Sequence, residues 1–303
     1  MKKAITILIT ILVCNTTSIL ACEICGGGLG NNYTGLLPNF NKRFIGIRYH
    51  FNQVKTQLDI NGNETALTNH EKYKTAELWS AWNIGTQWRV MAIIPYSNIQ
   101  KYNNGTDKSA KKSGLGDINL SGYYNLINKS EKFNQNLWLG LGVKLATGQY
   151  NKDEFSSTNT TNIYQLGTGS YDFTTSVNYD LSKDNIGINT NVSYKMNTKN
   201  SDEYQYGNKL TLNGSVYYNI LLKEKYRFRP NIGIQHDTQA RDKSMGYKID
   251  HTGGYNTNIN IGLESTINNL AVGFTYQKPL SQYVSHGRTE LQNKFLIHLT
   301  FMF

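Results

Sequence analysis

The sequence predicts an all-β, transmembrane antiparallel β-barrel of about 12 strands, placed after a cleaved signal peptide. Three observations carry that expectation. Many segments alternate apolar and polar residues with period two, the connections alternate between short and long, and the last strand ends on an aromatic residue. The 303 residues are 39% apolar and 12% aromatic, too much of both for a disordered chain. Mean hydropathy is −0.49, and no apolar run reaches the length of a spanning helix. The 3 Cys are too few for a disulfide-stapled scaffold.

The chain begins with the basic Met1-Lys2-Lys3 and the apolar stretch Ala4–Val13, followed by Ile19-Leu20-Ala21, the pattern of a secretory signal. Cleavage after Ala21 makes Cys22 the first mature residue. The same four residues, Ile19–Cys22, also resemble a lipoprotein box, although Leu20 is bulky where a small residue is usual. The expected organisation is therefore a signal peptide (1–21), an N-terminal periplasmic or plug segment (22–42) and a barrel (43–303).

Alternating segments are expected at 44–57, 73–84, 86–98, 115–127, 133–147, 168–181, 186–196, 210–220, 225–237, 255–263, 268–279 and 291–303. From Tyr255 to Leu263 the residues Tyr255, Thr257, Ile259, Ile261 and Leu263 share one face, and Asn256, Asn258, Asn260 and Gly262 the other. Short turns fall at 83–85, 128–131, 182–185, 223–224 and 267–269. Longer polar connections fall at 58–72, 99–113, 148–165, 198–205, 238–253 and 280–290. Tight periplasmic turns alternating with longer outer loops are the pattern of a transmembrane barrel, in which closure satisfies every backbone polar group. The 21 Tyr fit an interfacial belt, with Tyr96, Tyr124, Tyr171, Tyr179, Tyr194, Tyr218, Tyr226 and Tyr276 on the apolar face. In the final strand Phe295, Ile297, Leu299, Phe301 and Phe303 point one way, resembling the C-terminal strand that the barrel-assembly machinery reads.

Three motifs, Ser113-Gly-Leu-Gly-Asp117, Ile93-Ile-Pro-Tyr96 and Leu166-Gly-Thr-Gly-Ser-Tyr-Asp172-Phe, resemble those of the outer-membrane transporter family of the phenol-degradation meta-pathway. The start, Cys22-Glu-Ile-Cys25-Gly-Gly-Gly, with Leu36-Leu37-Pro38-Asn39-Phe40 and Phe44-Ile-Gly-Ile-Arg48-Tyr, resembles a Bacteroidetes branch of it. The resemblance covers most of the mature chain and implies a barrel in the outer membrane that passes a small solute. That branch often carries a further Cys where Gly27 stands here, which weakens a metal role for the pair. Read from the residues alone, Gly114, Gly116, Gly167 and Gly169 suit turns or bulges, and Asp117 and Asp172 project into the lumen.

An enzyme is not expected, and neither is a cofactor. No His-x-Ser run of a barrel phospholipase occurs, His298 with Thr300 being the nearest approach. His236-Asp237 and Arg241-Asp242 lie near the expected outer rim, where scattered loop charges account for them. The 6 His show no zinc spacing. The formal charge of +10 comes without a basic helix or RNA-binding motif, so nucleic acid is not an expected partner. With apolar faces toward lipid, the lumen receives Arg48, Arg89, Lys144, Lys195, Lys209, Arg227 and Arg229, together with Glu77, Asp117, Asp172, Asp180 and Glu264. Much of that set must pair internally, leaving at most a weak bias toward anions. Twelve strands lie between filled small barrels and open porins, so the pore should be narrow or plugged, with a non-conducting structural or binding barrel as the alternative. Cys22 and Cys25 are expected to act as a pair. A local disulfide, a soft metal such as Cu(I) or Zn, and acylation of Cys22 are all open to it.

Overall fold

The computed structural model describes residues 42–106, 109–151, 163–223 and 225–303. The signal segment, residues 22–41 and the Cys22/Cys25 pair lie outside the described residues.

Twelve strands close into one barrel: β1 (Phe44–Thr56), β2 (Asn69–Ile84), β3 (Trp88–Asn103), β4 (Ser109–Leu115, then Asn119–Ser130), β5 (Asn134–Lys144) and β6 (Asp172–Lys183). They are followed by β7 (Ile186–Met196), β8 (Lys209–Tyr218, then Ile220–Leu222), β9 (Tyr226–Gln239), β10 (Gly254–Ile267), β11 (Leu270–Val284) and β12 (Thr289–Met302). Each strand pairs antiparallel with its neighbour in sequence, and β12 pairs with β1 over Phe44↔Met302 to Thr56↔Thr289, which closes the ring. No edge is left, as a strand in lipid requires.

Burial is inverted relative to a water-soluble domain. Along β12 the outward Phe295, Ile297, Leu299 and Phe301 are exposed, whereas the inward His298 and Thr300 are buried. On β1, Ile45 and Ile47 face out, and Arg48 is 1% exposed. Apolar side chains on the rim and charged ones inside make sense only if the rim meets hydrocarbon. At the short-turn end aromatic pairs form a girdle: Trp88 against Tyr124 (4.9 Å), Trp82 against Phe303 (5.3 Å) and Phe301 against Phe303 (6.3 Å). Small outward Ser80, Ala92 and Gly122 leave an apolar hollow of about 600 Å³ on this lipid-facing wall, rimmed by Trp82 and Leu141.

The short turns use residues suited to tight hairpins. Asp184 and Asn268 sit at φ 52° and 53°, and Gly85 at 65°, the left-handed region that such turns demand. The connection expected at 148–165 is longer, from 145 to 171, because Asp117 and Lys144 draw the residues before Asp172 out of the ladder, and two other long connections are shorter than expected. Strands β3 and β4 run through most of 99–113, leaving 104–108 between them. Strands β11 and β12 likewise consume most of 280–290, leaving a single 3-10 turn at Ser285–Gly287. Beyond the bilayer both faces of a strand meet water, so the period-two signal vanishes although the ladder of hydrogen bonds continues.

The loop between β1 and β2 is fastened by Glu64, which bonds Lys55 (3.0 Å) and His70 (3.1 Å). The hydrogen bond from Lys55, then that from Asn104, lowers its carboxyl to about 2 from 4.5. A lowered acid stabilises the fastened loop above its ordinary pKa and loses that contribution as pH falls through the lowered one. The extra hydrogen-exchange protection of residues 59–68 in wild type over Glu64→Gln should therefore be full at pH 6, and gone near pH 2. Protection left unchanged by Glu64→Gln would assign the fastening to Asp59, which accepts from the N–H groups of Asn61 (2.8 Å) and Asn63 (2.7 Å).

Candidate functional site

The barrel interior is a column of paired charges, because an unpaired ion taken out of water costs several kcal/mol. Arg48 and Glu77 are cross-strand partners on β1 and β2, which puts the guanidinium 2.6 Å from the carboxylate; His50 reaches the same oxygen at 2.9 Å. On the adjoining wall His298 bonds Glu264 at 2.9 Å, across the backbone of Gly273, where a Cβ would lie 2.1 Å from the imidazole.

A second group of charges holds a loop inside the mouth. Strand β4 is interrupted at Gly116-Asp117-Ile118, where its register against β3 slips by one residue and Asp117 turns inward, 3% exposed. Lys144, at the end of β5, lies 2.6 Å from Asp117 and 2.9 Å from Asp172 at the start of β6; Lys195 is 3.3 Å from Asp172. The same carboxylates accept backbone bonds from the connections at the mouth, Gly148 and Thr168 of the β5–β6 loop donating to Asp117 (both 2.9 Å) and Thr198, just after β7, to Asp172 (3.0 Å). Ser170 donates its hydroxyl to Asp172 (2.9 Å), and Lys144 donates to Thr168 as well. Gly167 has no room for a side chain, since a Cβ there would sit 2.5 Å from both Asp117 and the Gly148 carbonyl.

From this anchor on β4–β6 the described end of the loop, residues 163–171, reaches the far wall of the lumen. Its Ile163 and Leu166 are buried among Val54, Tyr73, Ile99, Val284 and Leu291, which belong to β1, β2, β3, β11 and β12. Tyr73 and Lys112 donate to the carbonyls of Ile163 and Tyr164 (both 3.3 Å). Above it a small three-stranded sheet of Tyr204–Gln205, Lys243–Ser244 and Tyr247–Lys248 caps the barrel. Asp242 ties it by accepting from Gly207 (2.8 Å) and Tyr204 (2.5 Å). At the short-turn end Phe44, Trp79, Ala81, Ile93, Ala271 and Met302 form a buried interior cluster. Trp79 is its centre, with Phe44 at 4.4 Å, the Arg48 guanidinium at 4.7 Å and His298 at 5.5 Å.

Of the residues named from sequence, the structure brings together Arg48 with Glu77, and Asp117 with Lys144, Asp172 and Lys195. Arg89 is buried at 5.2 Å from the Phe44 ring. Arg229 bonds Asn219 (2.9 Å) over the Tyr217 ring. Arg227 stands apart, exposed beside the β8–β9 turn, because the strand meets water there. Sequence reasoning missed Trp79 and Phe44, which read as ordinary strand aromatics. It also missed Thr168 and Ser170, although two hydroxyls spaced among the motif glycines were the signal.

His298 and Thr300 do meet at 3.1 Å with Glu264 beyond, but Thr300 is fully buried beneath Trp79 and the group acts as a strut. His236 and Asp237 are adjacent and therefore face opposite sides of β9, His236 bonding Thr257 and Asp237 bonding Thr211. Among the described residues no group of three or more His, Cys, Asp or Glu is arranged to hold a metal ion.

A closed antiparallel barrel with an apolar rim, a paired-charge interior and an inserted loop is a membrane-spanning β-barrel of the bacterial outer-membrane class. The chain belongs to the family described as "Putative MetA-pathway of phenol degradation", whose pattern matches residues 51–290. In fold it is similar to the COG4313 outer membrane channel from Pseudomonas putida F1, with a TM-score of 0.63 and 11% identity over 90% of this chain and 98% of that one. It is also similar to the β domain of the Bordetella autotransporter BrkA, with a TM-score of 0.50 and 10% identity over 86% and 100% of the two chains. No curated protein matches in sequence.

Proposed function

We propose that the protein is an outer-membrane channel for a small solute, narrowed at its mouth by residues 163–168 of the connection between β5 and β6. The observation that carries the reading is that, between its two apolar clusters, the interior is lined by charges paired with one another and by amides, where a purely structural barrel is filled by apolar packing. The family description and the channel named in the Pseudomonas putida structure point the same way. The short turns, the start of β1 and the end of β12 then lie on the periplasmic side, with the long loops outside. The loop crossing the mouth favours one rival, a non-conducting binding barrel. Reconstitution of heat-modifiable, β-rich protein into planar bilayers separates the two. Unitary currents are expected, and their absence, with no uptake defect on deletion, would leave the binding barrel.

The last strand supports recognition by the assembly machinery. Phe303 is half-exposed, is stacked beside Phe301, and donates its N–H to Arg43 at the seam (2.9 Å). For residues 22–42 we favour a periplasmic or lumen-inserted extension in which Cys22 and Cys25 form a local disulfide after cleavage at Ala21. Mass spectrometry of the mature protein should then read about two daltons below the reduced mass. A lipid adduct would mean an anchor at Cys22, and free thiols with stoichiometric Cu(I) or Zn a metal site.

A further inference from the structure

The two halves of the lumen wall have different chemistry. Every strand residue in the two apolar interior clusters comes from β1, β2, β3, β11 or β12. On the other half, five inward side chains lie directly opposite one another across five consecutive strands: Asn178 on β6, Asn191 on β7, Asn213 on β8, Gln235 on β9 and Asn258 on β10. They form a continuous amide ladder that Trp138 of β5, the partner of Asn178, continues. Adjacent strands are about 4.8 Å apart, so the ladder runs about 19 Å around the wall.

Part of the ladder is internally bonded. Asn191 donates to Asn178 (2.5 Å), and Gln277 donates to Gln235 (3.2 Å) and to Asn260 (2.8 Å). At its β10 end the amides are buried without a partner. Asn258 and Asn256, 1% and 0% exposed, have neither side-chain atom bonded, and the Asn260 nitrogen is likewise free. A buried amide left unbonded costs about 1–3 kcal/mol, so this end of the ladder holds hydrogen-bonding capacity in reserve, while Asn178, Asn191 and Asn213 are the half-buried amides that face the lumen. The charges bordering the ladder are engaged: Lys195 with Asp172 (3.3 Å), Lys209 with Asp237 (3.3 Å), and Asp180 with Tyr217 (2.9 Å).

Resting on the reading of the lumen as a solute path, we infer that the amide ladder is the solute-binding track and that its solute is uncharged and carries several hydroxyl groups, as a sugar or polyol does. An amide offers a donor and an acceptor to each hydroxyl, and a hydroxyl can answer either. Neutral amides offer a charged solute no opposite charge against its desolvation, and the bordering ions are already engaged.

The test has two readouts on the full-length mature protein. In detergent, D-arabinose titrated against the fluorescence of Trp138 should give a saturable change that Trp138→Phe abolishes, whereas D-arabinonate should give none at the same concentrations. Asn191→Leu and Asn213→Leu, checked for heat-modifiable migration, should each weaken arabinose binding about fivefold, the loss of one or two hydrogen bonds. Asn213→Gln, which keeps both the donor and the acceptor, should hold arabinose within about twofold of wild type. In proteoliposomes, swelling in arabinose should exceed swelling in arabinonate. Arabinonate binding as well as arabinose, no fluorescence response to arabinose, or leucine variants that bind like wild type would overturn the ladder. Arabinose binding without swelling would uphold the ladder and sink the channel; swelling without preference or binding would do the reverse.

Discussion

Asp117→Ala is expected to open the outer mouth and raise single-channel conductance severalfold. Its carboxylate accepts from Gly148, Thr168 and Lys144, so one substitution removes the carboxylate anchor at both ends of the inserted loop, leaving Thr147 on Gly116 and Lys112 on Tyr164 as its bonds to β4. It also leaves Lys144 with Asp172 as its remaining acidic partner in that group. Breaking one side of a buried ion pair typically costs about 3–5 kcal/mol, and the retained Asp172 contact should keep the loss near the lower end. The measurement is planar-bilayer conductance beside a thermal shift in gel mobility. Asp117→Asn, which can still accept from the two backbone N–H groups, should fall between wild type and alanine. Lower stability with unchanged conductance would mean that Ile163 and Leu166 suffice to hold the loop.

Trp79→Ala is expected to widen the opposite end. Trp79 is fully buried between Phe44, Arg48 and His298, and removing such a ring from a packed interior costs about 3–5 kcal/mol. Water entering from the lumen should reduce that cost here, because the space created borders polar groups. The effect on current depends on the loop. Two constrictions on one path add as resistances in series, so Trp79→Ala alone should raise conductance little while the loop remains closed. Combined with Asp117→Ala it should raise it beyond the sum of the single effects. Additive behaviour in the double variant would show that the aromatic cluster is not on the path.

The barrel was legible in the sequence because each strand has one face in lipid. The alternation of Ile45, Ile47 and Tyr49 with Gly46, Arg48 and His50 gives β1, and the same rule gives the other eleven strands. Strand ends were less legible where β3 and β11 leave the bilayer, since Asn98–Asn103 and Ser281–Val284 carry no period-two signal. Inward charges such as Arg48, Glu77, Lys144 and Asp172 could be named because they interrupt apolar alternation. Their partners could not, because pairing depends on register, and register is set by turns and bulges such as the one at Asp117. The amide ladder was hidden for the same reason: Asn178, Asn191, Asn213, Gln235 and Asn258 are spread over 81 positions and align only when four hairpins are in register. The inserted loop was the least visible feature, since its path depends on side chains from eight strands.

The seam between β12 and β1 has a consequence for assembly. The residues that close it, Phe44 to Thr56 and Thr289 to Met302, lie at opposite ends of the barrel sequence. Until β12 has been synthesised and exported the chain is an open ribbon with two unpaired edges, a template for pairing with other chains. The entropy of closing so long a circuit grows only with the logarithm of its length, so distance is a modest obstacle once β12 is present. Deleting the last strand would therefore yield no smaller barrel but a ribbon prone to aggregation, making completion of the chain itself the checkpoint for insertion.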